Sequence, residues 1–96
     1  MKKIAINELE LLYGLNEGRS GTLEDAISVL QIAAIANRAY FIIKFDGERA
    51  GKRFTAIFNA QNILGGIIRM DGDDMAECID YVISEIVNLK RDGKIK

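Results

Sequence analysis

Tyr40-Phe41-Ile42-Ile43-Lys44-Phe45 is aromatic and β-branched almost throughout, which is the composition of a strand. The residues that follow, Asp46-Gly47-Glu48-Arg49-Ala50-Gly51, read as a hairpin connection. Beyond them Arg53-Phe54-Thr55-Ala56-Ile57-Phe58 alternates, placing Phe54, Ala56 and Phe58 on one face of a second strand. Strands joined this closely pair antiparallel, because a parallel pair needs a crossover of about a dozen residues or more.

Outward from this hairpin the pattern extends in both directions. After a loop at 59–66, Ile67-Ile68-Arg69-Met70 gives a third, shorter strand. Asp71-Gly72-Asp73-Asp74 then opens a helix with carboxylates at its positive end. Met75, Cys78, Ile79, Val82, Ile83, Ile86 and Leu89 form its apolar stripe, Lys90 and Arg91 close it, and Gly93 suits a left-handed stop. Upstream, Thr22 caps a helix with Asp25 at its third position, and Leu23, Ala26, Ile27, Leu30, Ala33 and Ala34 recur at helical spacing. Val29, Ile32, Ile35 and Ala36 widen that stripe beyond the usual ~100°. Such a helix is expected to be covered on two sides, either centrally or by a second copy in a homodimer through helix 23–36. Asn37 and Arg38 suit its end.

The first segment stays open. Ile4 and Ile6 can start a strand, or Asn7 can cap a helix with Glu10 three places later and Leu9, Leu12 and Leu15 on one face. Gly14, Gly18 and Gly21 break whatever forms there. The expected fold is α+β, in the order (β/α)-α-β-β-β-α. It has a small antiparallel sheet of three or four strands with helices packed on one face. Residues 1–96 form a single domain on this reading, since domains run ~50–200 residues.

Charge and cysteine usage narrow the function classes. The chain carries 13 basic and 14 acidic side chains, but Lys2, Lys3, Lys90, Arg91, Lys94 and Lys96 lie in the tails against Asp92 alone. Residues 4–89 are therefore acidic, and the basic ends read as solubilising tails. An acidic body argues against direct nucleic-acid or membrane binding. The single Cys78 cannot form an internal disulfide, which fits a reducing compartment. Lys2-Lys3-Ile4-Ala5-Ile6 opens like a signal peptide, but Asn7, Glu8 and Glu10 interrupt it, so a cytoplasmic location is expected.

Catalytic chemistry is sought and not found. There is no His, hence no imidazole base, no Ser–His or Cys–His pair and no basis for a zinc site. Cys78 sits on an apolar helical face and reads as a core thiol. Gly14-Leu15-Asn16-Glu17-Gly18-Arg19-Ser20-Gly21 is one residue short of a phosphate-binding loop and has Arg where Lys belongs. Asp71, Asp73 and Asp74 lack the Gly and Glu that a calcium loop needs at its sixth and twelfth places, which here are Ala76 and Val82. No cofactor and no metal are expected, and the chain reads as a binding protein rather than an enzyme.

Two surfaces remain as candidate contacts. Residues 71–85 contain six acids (Asp71, Asp73, Asp74, Glu77, Asp80 and Glu85) and no basic residue. Like charges one turn apart cost a helix roughly 0.2–0.5 kcal/mol per pair, so a basic partner would relieve this stripe. The second is the hairpin tip around Glu48 and Arg49, where Lys52 and Arg53 gather near Lys44.

At two points the sequence resembles a known family. Tyr40-Phe41-Ile42-Ile43-Lys44-Phe45-Asp46-Gly47-Glu48-Arg49, with Ile68-Arg69-Met70-Asp71-Gly72-Asp73-Asp74 leading into the terminal helix, is similar to small immunity proteins of bacterial contact-dependent growth inhibition (CDI) systems. The resemblance covers roughly residues 38–90. It implies a cytosolic inhibitor that binds one cognate protein toxin, often a nuclease domain with a basic substrate-binding surface, and stops it acting. Partner contacts differ from pair to pair in such families, so no residue roles are carried over.

Overall fold

Alternation along the strands sets the register of the sheet, and the register decides which residues meet the helices. The computed structural model describes residues 3–15, 21–61, 63 and 65–96. Its elements are α1 (Lys3–Leu12), α2 (Leu23–Asn37), β1 (Tyr40–Phe45), β2 (Phe54–Asn59), β3 (Ile67–Gly72) and α3 (Met75–Arg91). The three strands form an antiparallel meander in the order β1-β2-β3. Phe45 lies opposite Phe54, and Phe54 opposite Gly72, so Phe41, Ile43, Phe45, Phe54, Ala56, Phe58, Ile68, Met70 and Gly72 share one face. All three helices gather on that side, with α3 against β2 and β3, α2 against β1, and α1 against both other helices. The fold is α+β, as the strand and helix patterns predict.

The first segment resolves as helix. Asn7 lies inside α1 rather than capping it, and Ile6 and Leu9 are fully buried beside Glu10. Burial of these apolar residues against α3 outweighs the local capping signal of Asn7 and Glu10. The third strand is as long as the others, six residues, so Asp71 and Gly72 belong to β3 and the cap of α3 is Asp74 alone. Residues 16–20, which hold most of the Gly-rich stretch, lie outside the described residues, as do Met1 and Lys2.

Helix α3 is the centre of the core. Ile79, Val82, Ile83 and Ile86 are fully buried, against Ala56 and Phe58 of β2, Ile68 of β3 and the α1 residues. Burying each such side chain contributes about 1.5–3 kcal/mol. The Asp74 side chain accepts from the Ala76 N–H at 2.8 Å to start the helix. At the other end Gly93 takes φ +70°, which only glycine adopts without strain, and the chain turns back.

That turn corrects the reading of the C-terminal residues as a solubilising tail. Ile95 is buried, and the Asn37 side chain accepts from the Lys96 N–H at 2.7 Å and donates to its carbonyl at 2.8 Å. Tyr13 Oη also donates to that carbonyl, at 2.6 Å, while Lys90 Nζ sits 4.2 Å from the Tyr13 ring centroid. Burial pushes the Tyr13 hydroxyl above its ordinary pKa, partly offset by the bond from Asn37.

Helix α2 has the expected capping box between Thr22 and Asp25. It buries Ala26, Val29, Leu30 and Ala33 and leaves Leu23, Ile27 and Ile35 exposed. The wide stripe is thus covered on one side by this chain, not on two. No described helix is long and apolar enough to cross a membrane.

Candidate partner-binding surface

The six acids of residues 71–85 do not form one stripe. Period-2 geometry turns Asp71 away from α3, onto the sheet face opposite the helices, beside Thr55 and Arg69. There Asp71 accepts from Arg69 Nε at 3.0 Å, from Arg49 Nη1 at 3.4 Å and from the Thr55 hydroxyl. The Arg69 bond, followed by the Thr55 hydroxyl, holds its carboxyl well below the usual carboxylate range despite some desolvation. Its charge is consumed within the chain.

Asp73, Asp74 and Glu77 do come together, exposed at the start of α3. Asp73 Oδ1 accepts from the Lys52 backbone N–H at 2.6 Å, which ties the β1–β2 connection to the helix entrance. Asp74 caps the helix, and Glu77 lies in its first turn, where the dipole favours an anion. None of the three has a cation within ion-pairing distance among the described residues. Asp80 is only 7% exposed, and Glu85 is half-buried farther along the helix.

The hairpin pair separates as well. Glu48 is exposed, and its N–H is held by Asp46 Oδ1 at 3.0 Å, whereas Arg49 reaches across to Asp71. Cys78 is buried, its Sγ 3.7 Å from the Phe54 carbonyl, and desolvation, reinforced by the nearby carboxylates, raises its pKa. A thiol held protonated in this way is a poor nucleophile. Among the described residues no three acids or Cys stand close enough to hold a metal ion.

Sequence reasoning missed two features. One is a groove of about 450 Å³ beside β3, lined by Met70, Glu77, Asp80, Tyr81 and Ser84. The spacing of 77, 80, 81 and 84 marks one side of α3, but only the packing shows that this side runs along the sheet edge. The other is the sheet face opposite the helices, where Tyr40, Ile42 and Ile67 are exposed. The signal for it was present, since helices on one face leave the other face open. No family model matches the chain, and neither does any curated protein or solved structure.

Proposed function

We propose that this chain is an immunity protein that binds and neutralises a cognate toxin domain, a nuclease with a basic substrate path, in the cytoplasm. The observation that carries the reading is the exposed trio Asp73, Asp74 and Glu77, whose charges have no cationic partner within the described chain. Helix α3 tolerates them because they sit at its positive end. Unspent negative charge in one place steers a basic partner and fixes its approach. The resemblance at residues 38–90 to CDI immunity proteins supplies the class of partner. The lack of any His in the sequence favours binding over catalysis, and no cofactor enters the reading.

A toxin reading frame beside this gene would supply the partner for the test. Co-expression of this chain should restore growth of cells making the toxin domain. The variant D73N/D74N/E77Q keeps the cap and the Lys52 bond but removes three charges. It should lower the association rate about tenfold at low salt, with the circular dichroism unchanged. Unaltered, salt-insensitive binding by that variant would move the contact elsewhere, and a toxin that never binds the intact chain would end the proposal.

A second reading, a homodimeric interaction module, draws on α2. Leu23, Ile27 and Ile35 are 40%, 44% and 72% exposed along one helix, more apolar surface than a solvated face needs.

A further inference from the structure

Strand β3 is an edge. β2 pairs with one side of it, and among the described residues nothing pairs with the other. Its ladder with β2 runs without a bulge from Ile67 to Gly72, and the chain contains no proline. The outer row of N–H and C=O groups is therefore regular, and a regular edge is a template for another strand.

The groove of about 450 Å³ lies along this edge on the helix side. A strand added to β3 would point alternate side chains into it. Met70 and the Tyr81 ring offer apolar walls, the exposed Glu77 offers a carboxylate, and Ser84 a hydroxyl. A long aliphatic stem ending in a cation suits this mixture, with methylenes on the apolar walls and charge at Glu77.

We infer that β3 accepts an extended segment of a partner protein as a fourth strand, with a Lys or Arg side chain of that segment in the groove. The inference deepens the proposed function and rests on it for naming the partner as the toxin. A second copy is disfavoured as occupant. Two-fold pairing of β3 with itself would bring the exposed Glu77 side of one copy against the same side of the other.

An eight-residue peptide alternating Lys and Val tests the edge directly. Its addition should shift the amide resonances of residues 67–72 together with Glu77, Tyr81 and Ser84, and slow hydrogen exchange at alternate amides of β3. The same peptide N-methylated along one edge keeps its charge and should bind at least about tenfold more weakly, the loss of one or two backbone hydrogen bonds. Ser84→Lys should abolish the peptide shifts. Equal binding of the N-methylated peptide, or no shifts with either, overturns strand addition. A dimer, seen by sedimentation, that the peptide dissociates instead overturns the partner protein as occupant and puts a second copy on the edge. Toxin capture that survives Ser84→Lys but needs Glu77 refutes strand addition and leaves neutralisation standing. Peptide addition along β3 without toxin capture does the reverse.

Discussion

Asp71 fastens three parts of the chain with one carboxylate: its own strand through Arg69, the central strand through Thr55, and the hairpin connection through Arg49. Its folded pKa is depressed from 3.8, so the charged form is the one that folding favours. The stability it adds is complete above the unfolded value and is lost as pH falls below it, towards the folded value. Asp71→Asn should therefore lower the thermal midpoint at neutral pH, and the gap to the parent should shrink as acid is added below about pH 4. Thermal scans of both proteins across that range check the sign. Asn7 makes the opposite kind of case. Its Oδ1 is buried within α1 without a hydrogen-bond partner, and Asn is a poor helix former. Asn7→Ala should raise stability by about 1 kcal/mol, read from the urea midpoint. Neither role was open to sequence reasoning alone. Arg49 is 22 residues from Asp71 and Thr55 is 16, so only the register brings them together. Cys78 was legible as a core thiol because its apolar neighbours recur at helical spacing.

Elements were legible where period and burial agree. The stripe of α3 and the alternation of β2 gave type and orientation directly, and Thr22 with Asp25 gave the start of α2. The pattern failed in α1, where Ile4 and Ile6 mimic a strand and Asn7 and Glu10 mimic a cap. It fell short at β3, where the run of carboxylates looked like a helix entrance but Ile67, Arg69 and Asp71 kept alternating. The β2–β3 connection depends on Gly66 through space rather than through its backbone angle. A Cβ there would stand 2.6 Å from the Ala60 carbonyl and 2.9 Å from that of Ile63, both backbone atoms that cannot swing aside. Gly66→Ala should cost about 1–3 kcal/mol in urea unfolding. The C-terminal residues hang on Asn37 in the same specific way. Asn37→Ala removes both bonds to Lys96, and faster amide exchange at residues 94–96 should follow, with β2 unaffected.

At the scale of the whole molecule, a sheet covered on one face and a helix covered on one side leave distinct surfaces for partners. The acidic entrance of α3 and the groove beside β3 lie together, whereas α2, with Leu23, Ile27 and Ile35 exposed, packs against the opposite strand, β1. Size decides what α2 alone achieves. A helix of 15 residues is about 22 Å long and ~10 Å wide, a footprint well under the ~800 Å² per partner of a standard interface. Self-association through α2 alone is therefore weak. It strengthens only if Phe45, 63% exposed at the end of β1, joins the contact. Sedimentation should then show a monomer at low micromolar concentration and a reversible dimer at higher concentration. Ile27→Glu should abolish that dimer, because a carboxylate buried in an apolar contact without a partner costs more than the contact returns. The same variant should bind the toxin domain as the parent does, since α2 and the α3 entrance lie over different strands. A dimer that persists in Ile27→Glu would transfer self-association to the open sheet face of Tyr40, Ile42 and Ile67. Loss of toxin binding with the dimer would instead join the two surfaces into one site.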